Sequence, residues 1–271
     1  MGCCSSKQDR DNNVELQARP ARRPAQGGQT ISGPSGGLVL VPPPYRDAQG
    51  RPIRHNEAEL DRDTILAALR DMSEYLASKQ VSARVITVGG AVNTVLLRSR
   101  QTTHDVDFFS EDGTAQVNLL IHEAARDANR RRRGTLGSSW FNNSTQLYMG
   151  RERAEELASA AIEQNEMVYN GLNDRGHGLQ VFAASWEYAL CGKMNRLTEG
   201  DERAYDLNDA LEYLVRYFQK TGHQSIAAGA IKQWCARWGK QVTDEVLRRL
   251  DEAFLRKYGR RCIVWSGHAG R

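Results

Sequence analysis

Proline is missing from most of this 271-residue chain. All seven prolines lie in the first 52 positions, and none follows Pro52. Cysteine is also scarce. Five cysteines, two of them adjacent at Cys3 and Cys4, are too few for a disulfide framework and lack the paired spacing of a structural zinc site. These absences favour a reducing, intracellular compartment.

Long apolar runs are absent as well. No stretch approaches the ~18 consecutive apolar residues that a membrane-spanning helix needs. With 40% hydrophobic and 26% charged residues, the composition is typical of a soluble globular protein. It excludes an integral membrane protein, a collagen-like chain and a wholly disordered chain, and the length allows one large domain or two small ones.

Charge and composition divide the chain near residue 54. Residues 1–54 hold eight Lys or Arg and four Asp or Glu, whereas residues 55–271 hold 29 of each kind, so the net charge of +4 belongs to the first segment. That segment is rich in Pro, Gly, Gln and Ser and has few large apolar side chains to offset the entropy of ordering. We therefore predict a disordered tail over 1–54, a domain over 55–219 and a C-terminal helical extension over 220–271 packed on it.

The first residues match a lipidation signal. Gly2 and Ser6 fit the pattern for N-myristoylation, and Cys3 and Cys4 offer palmitoylation sites beside it. Two acyl signals are needed for stable anchoring, since one myristoyl chain binds membranes only marginally. We expect the chain at the cytoplasmic face of a membrane, in the first place the plasma membrane, and otherwise in the cytoplasm. The alternative is an ordinary tail that happens to begin with glycine.

A second motif lies in the same tail. Pro42, Pro43 and Tyr45 fit the Pro-Pro-x-Tyr ligand of WW domains, which bind preformed polyproline II segments. WW-domain proteins are therefore candidate partners. The alternative is a stiff spacer that ends in an aromatic residue.

Hydrophobic periodicity predicts an α+β body with its strands early and its helices late. Asn56 and Glu59 resemble a capping box at the start of the first helix. The predicted helices are 57–80, 91–97, 115–130, 151–164, 186–198, 202–219, 225–238 and 243–257, and the predicted strands are 84–88, 105–109, 166–170 and 179–183.

Two short motifs carry the chemistry. Gly89 and Gly90 lie between a strand and a helix, where glycine lets the backbone approach a ligand and a helix N-terminus offers N–H groups to phosphate. Asp105 and Asp107 are two apart in a strand, so both carboxylates point to one face. Two such carboxylates repel unless a cation lies between them, and Mg²⁺ or Mn²⁺ with a nucleoside triphosphate is the natural occupant.

The two motifs together resemble the signature of the nucleotidyltransferase superfamily, which has the DNA polymerase beta-like fold. Fourteen residues separate Gly90 from Asp105, and the segment Arg100–Phe109 is similar to the Arg-x-Thr-x-Asp-x-Asp segment of the abortive-infection toxin branch and its uncharacterised relatives. The resemblance covers about 57–218. It implies a small mixed sheet flanked by helices, and nucleotide binding by Gly89, Gly90 and Arg100.

A later helical element extends the resemblance. Lys193, Arg203, Asp206 and Asp209 match the family's Lys…Arg-x-x-Asp-x-x-Asp pattern, with the last three on one helical face. By the resemblance Lys193 contacts a phosphate, Asp206 orients a basic group or the nucleotide, and Asp209 belongs to the same nucleotide site. The alternative is a salt-bridge cluster between two helices.

The third carboxylate of the superfamily has no clear counterpart. The family's Trp-Leu-Asn-Asp segment is Trp140–Asn143 here and ends in asparagine. Glu166 is the nearest strand-like candidate for a third catalytic carboxylate beside Asp105 and Asp107. Without one, the general base that deprotonates an attacking hydroxyl is missing.

Two functions therefore stay open. The first is a membrane-anchored nucleotidyltransferase that transfers a nucleotidyl group to a hydroxyl acceptor. The second is a non-catalytic adaptor or nucleotide sensor with the same fold. The basic run Arg130–Arg133 could contact nucleic acid, but it follows an amphipathic helix and better fits a solvated C-terminal helix end.

Overall fold

The computed structural model describes residues 58–111, 114–143, 145–146 and 149–265. The lipidation motif at Gly2, Cys3 and Cys4 and the WW motif at Pro42–Tyr45 lie outside the described residues. Among the described residues, no helix is long and apolar enough to cross a membrane.

The described chain is a mixed α+β fold whose elements follow one another from Leu60 to Val264. The strands are β1 Leu60–Asp61, β2 Ser82–Val88, β3 Thr102–Thr103, β4 Val106–Ser110, β5 Phe141–Asn142, β6 Met167–Asn170, β7 Gly178–Ala183, β8 Ile226–Ala227 and β9 Ile263–Val264. The α-helices are α1 Arg62–Ser78, α2 Ala115–Arg131, α3 Arg151–Gln164, α4 Trp186–Glu199, α5 Asp206–Thr221, α6 Ala228–Arg237 and α7 Asp244–Tyr258, and a π-helical turn spans Val92–Leu96.

The central sheet has five strands in the order β5-β4-β2-β7-β6. Strand β2 is antiparallel to β4 and parallel to β7, while β4 is parallel to β5 and β6 is antiparallel to β7. Val85 and Ile86 point to opposite faces of β2, and both are fully buried. Both faces of the sheet are therefore covered. Helix α1 packs on β7 and on α2, and helix α3 packs on β2 and β7.

The first helix begins later than the sequence predicts. Asp61 is its N-cap, and the Asp61 carboxylate accepts a hydrogen bond of 2.8 Å from the backbone N–H of Thr64. Leu60 and Asp61 are instead paired with Thr103 and Thr102. The predicted start at residue 57 was wrong because this strand pairing is a long-range interaction that local capping signals do not show.

The segment after β2 forms a π-helical turn rather than the predicted α-helix. The N–H of Leu97 donates to the Val92 carbonyl at 3.0 Å, which is an i to i+5 bond. The Asn93 carbonyl accepts from the N–H groups of Ser99 and Arg100 at 2.9 and 3.4 Å. This turn therefore fixes the backbone position of Arg100.

The last helices pack onto the two helices that precede them. Helix α6 contacts α4, and α7 contacts α5. The Asp251 carboxylate of α7 accepts hydrogen bonds from the N–H groups of Cys262 and Ile263 at 2.8 and 3.0 Å, and Arg261 pairs with it at 2.6 Å. These bonds hold β9 beside β8, so Cys262 and Ile263 are tied to the same hydrophobic core.

Candidate functional site

A cleft of about 820 Å³ opens where β2 ends. Its walls come from the turn after β2, the segment from Arg100 to Asp107, one face of α4 and the segment before α5. Helix α4 contributes residues three and four apart, from Tyr188 to Glu199, which is the spacing of a single helical face. The cleft therefore lies between the sheet and the C-terminal helices.

The two glycines at the end of β2 serve different needs. Gly89 has φ of +68°, a conformation that favours glycine, and a Cβ there would meet no atom within 4 Å. Gly90 has ordinary backbone, but a Cβ there would overlap Thr103 Oγ1 and lie 2.9 Å from Thr103 Cβ. The cleft floor is completed by Tyr213, whose hydroxyl donates to the Gly89 carbonyl at 3.5 Å.

Asp105 and Asp107 both line the cleft, while Val106 and Phe108 are buried on the other face of β4. Val88 is the strand partner of Asp107, so the carboxylates lie beside the glycine turn. Burial raises the pKa of Asp107 to about 7, and the neighbouring charge of Asp105 adds to the shift. Burial also raises the pKa of Asp105.

A side-chain amide lies on the strand next to Asp105 and Asp107. Asn142 of β5 is the register partner of Asp107, and its Nδ2 lies 3.5 Å from Asp105 Oδ2. Glu166 is remote from both aspartates: it immediately precedes β6 at the opposite edge of the sheet, and it does not line the cleft. The structure therefore does not bring Glu166 to Asp105 and Asp107.

The later motif forms a compact ionic network under the α4 wall. Lys193 Nζ lies 2.6 Å from Asp206 Oδ1 and 2.7 Å from Asp209 Oδ2, and all three side chains are buried. Arg100 makes a two-pronged pair with Asp209, and its guanidinium carbon lies 3.4 Å from the centroid of the Tyr205 ring. Burial opposes ionisation of Asp206, but the hydrogen bonds from Lys193 and from the backbone N–H of Arg203, together with nearby positive charge, outweigh burial and lower the pKa of Asp206.

This network has features of both alternatives for the later motif, a nucleotide site and a salt-bridge cluster between two helices. Asp206 and Asp209 form salt bridges with Lys193 and Arg100, yet both cations also line the cleft. The carboxylates therefore hold two cleft cations in place, and they leave little charge on either of them uncompensated.

Arg196 and Arg203 are the cleft cations whose charge reaches the two aspartates, and their own compensation is weaker than that of Lys193 and Arg100. Arg196 is 3.9 Å from Asp206, which is already paired with Lys193, and Arg203 donates to the Tyr205 hydroxyl at 3.0 Å. The charges of both arginines oppose the rise in the pKa of Asp105 and of Asp107. Sequence reasoning missed Arg196, although its position three residues after Lys193 places it on the same helical face.

The donor set fits a hard divalent cation only in part. Two carboxylates face the same space, and carboxylate oxygen is the ligand that Mg²⁺ and Mn²⁺ prefer. Among the described residues, no group of three or more His, Cys, Asp or Glu side chains could hold a metal ion. Asp105 and Asp107 would thus hold a metal together with oxygens that a ligand supplies, which is the usual arrangement for Mg²⁺ on substrate phosphates.

A family model described as a domain of unknown function, DUF7582, matches residues 58–261. The chain belongs to the DUF7582 family. No curated protein and no solved structure matches it. The DUF7582 match runs through the predicted boundary at residue 219 and includes every residue that lines the cleft, from Glu59 to Lys240.

The basic run at the end of α2 lies elsewhere on the DUF7582 domain. Arg130 and Arg131 pair with Asp127, and Arg132 pairs with Asp71 at 2.8 Å. These intramolecular pairs at a helix C-terminus compensate most of the charge of the run.

Proposed function

We propose that the cleft binds a nucleoside triphosphate together with Mg²⁺ or Mn²⁺, in a nucleotidyltransferase-like domain. The proposal rests on one observation: Asp105, Asp107 and the turn Gly89-Gly90 line the same cleft. The mixed sheet of five strands flanked by helices is compatible with the small mixed sheet that the sequence resemblance implies.

The residues divide between metal and phosphate. Asp105 and Asp107 would hold the cation, which would neutralise phosphate charge and draw electron density from the reacting phosphorus. No side chain projects from Gly89 or Gly90, so phosphates would approach the N–H groups of the turn. The open space lies at Gly89, because Thr103 fills the side-chain position of Gly90. Arg196 supplies a positive charge beside the carboxylates, where a triphosphate would need it.

The proposed reaction is nucleotidyl transfer to a hydroxyl. The acceptor oxygen forms a bond to the α-phosphorus, the bond from that phosphorus to the pyrophosphate oxygen breaks, and pyrophosphate leaves with the electron pair. The hydroxyl proton goes to solvent or to a carboxylate of the site. Asp206 and Asp209 hold Lys193 and Arg100 at the cleft wall. From there their N–H groups would donate hydrogen bonds to the nucleotide phosphates.

A second function is favoured by Asn142. It occupies the strand position next to Asp107, and it is followed by Asn143, which stands where the resembled family has its last aspartate, so neither position supplies a general base. The same cleft would then serve a non-catalytic adaptor or nucleotide sensor. In either case we propose that Gly2, Cys3 and Cys4 anchor the chain to the cytoplasmic face of a membrane, and that the Pro42–Tyr45 motif recruits WW-domain proteins.

Calorimetric titration with each nucleoside triphosphate and Mn²⁺ tests binding, and α-labelled nucleotides test transfer to the protein itself or to a lysate. We expect the double change Asp105→Asn and Asp107→Asn to abolish metal-dependent binding without unfolding the domain. Asp63→Asn is the control, because Asp63 is 91% exposed on α1 and away from the cleft. Absence of metal-dependent binding by the wild type would contradict the proposal, and binding without transfer would favour the sensor.

A further inference from the structure

Gly192 lies in the interior of α4, where the fold gives no reason for a glycine. A Cβ at Gly192 would meet no atom within 4 Å outside its own helix, and its φ is not positive. Alanine would therefore fit and would favour the helix, since glycine is among the poorest residues for a helix interior. Gly192 lines the cleft, so the space above it is open to a ligand.

Lys240 faces the same part of the cleft from the segment between α6 and α7. Its side chain is half-buried and lines the cleft, and among the described residues no carboxylate lies within ion-pair distance of its ammonium group. Its backbone N–H donates to the Cys235 carbonyl at 2.8 Å, and the N–H of Gln241 donates to Asn195 Oδ1 at 2.9 Å. Lys240 is thereby held against α4 one turn from Gly192.

The face of α4 connects this region to the two aspartates. Arg196 follows Gly192 by four residues and lies on the same face, and its charge acts on Asp105 and Asp107. Lys240 acts on a different neighbourhood: the hydrogen bond with Cys191 lowers the pKa of the Cys235 thiol on α6, and the charge of Lys240 adds to that shift. The cleft therefore has two cationic regions, one at Arg196 beside the aspartates and one at Lys240 farther along.

We propose that the region over Gly192 and Lys240 is the acceptor subsite and that the acceptor carries a phosphate monoester. This inference rests on the proposed function, in which a metal-bound triphosphate fills the region of Asp105 and Asp107. The acceptor phosphate pairs with the ammonium group of Lys240, and the open surface of Gly192 takes the body of the acceptor. Its hydroxyl then reaches the α-phosphorus near Arg196, with pyrophosphate leaving as described above.

The test uses calorimetry on the full chain, loaded with Mn²⁺ and a non-transferable analogue of a nucleoside triphosphate, with adenosine 5′-monophosphate as the titrated probe. We expect one equivalent of the monophosphate to bind. Lys240→Met should weaken it by about ten- to a hundredfold, the range for a lost charged hydrogen bond, while leaving the analogue affinity unchanged. Lys220→Met is the matched control, since Lys220 is exposed on α5 and outside the cleft.

Changes at Gly192 separate the subsite from helix stability. Gly192→Ala should raise the melting temperature by about 2–4 °C, because alanine favours the helix interior. Gly192→Leu should fold as well as Gly192→Ala but should not bind the monophosphate.

The outcomes of the two proposals can be told apart. If the monophosphate displaces the analogue, fails to bind the loaded protein, or is unaffected by both Lys240→Met and Gly192→Leu, the subsite is refuted while nucleotide binding stands. If the analogue itself does not bind, the proposed function fails, and the acceptor assignment fails with it.

Discussion

Replacement of Gly90 by alanine would test how the glycine turn is built. The added Cβ would lie 2.9 Å from Thr103 Cβ and closer still to Thr103 Oγ1, so the turn or Thr103 on β3 must shift. Overpacking of this kind costs about 1–3 kcal/mol. At about 2–4 °C per kcal/mol for a domain of this size, a cost near 2 kcal/mol lowers the melting temperature by about 4–8 °C.

Gly89→Ala should destabilise the domain for a different reason and by a smaller amount. The space around Gly89 is open, but its φ of +68° costs an L-residue about 1 kcal/mol. The expected fall in melting temperature is about 2–4 °C. Thermal and urea unfolding of both variants measure the two costs directly.

A double-mutant cycle with Thr103→Ala distinguishes the two mechanisms. Removing Thr103 Oγ1 relieves the closest overlap at Gly90, so that pair should couple by about 1 kcal/mol or more, whereas Gly89 and Thr103 should be additive within about 0.5 kcal/mol. Thr103→Ala alone loses the hydrogen bond from Oγ1 to the Asp105 carbonyl at 3.3 Å. Equal stability of Gly90→Ala and wild type, or equal coupling of both glycines to Thr103, would refute this account of the turn.

Four further predictions concern other residues of the chain. The pKa of Asp107 in the folded protein is about 7 and lies above its unfolded value, so ionisation of Asp107 destabilises the metal-free protein as pH rises. Asp107→Asn should therefore have a higher free energy of unfolding in urea than wild type, and the difference should grow from pH 5 to 8. Burial raises the pKa of Asp251, but the hydrogen bonds to its carboxylate outweigh burial and lower the pKa. Asp251→Asn should therefore reduce the free energy of unfolding more at pH 7 than at pH 3, and an equal reduction at both pH values would contradict this. Gly2→Ala should release the protein from membranes to the soluble fraction, and full retention would rule out the acyl anchor. Tyr45→Ala should abolish capture by WW modules while leaving the melting temperature unchanged, and equal capture of both forms would exclude the motif.

Much of the secondary structure follows from local patterns in the sequence. Strand β2 is marked by the β-branched run before Gly89, and α3 begins and ends where its hydrophobic spacing predicts. The facing of Asp105 and Asp107 into one cleft follows from the period of two in an extended chain. These features depend on neighbours along the chain, which a single sequence shows directly.

Other parts of the site depend on contacts between distant segments. The two-residue strand β5 has no periodicity of its own, so the sequence could not place Asn142 beside Asp107. Tyr205 and Lys240 enter the cleft only because the segment before α5 and the segment after α6 pack against α4. Glu166 has the right residue type in a strand-like context, but sheet order places it at the edge opposite to β5.

The contact between Tyr213 and Gly89 has a consequence for protein synthesis. The two residues are 124 positions apart, and at about 5–20 residues per second a ribosome needs roughly 6–25 s to pass from one to the other. For most of that interval the nascent chain exposes β2 without β7, its parallel neighbour, and α5 is incomplete until the interval has passed. Such unpaired strands are prone to association, so a nascent chain of this protein is expected to need chaperone protection until α5 has left the ribosome.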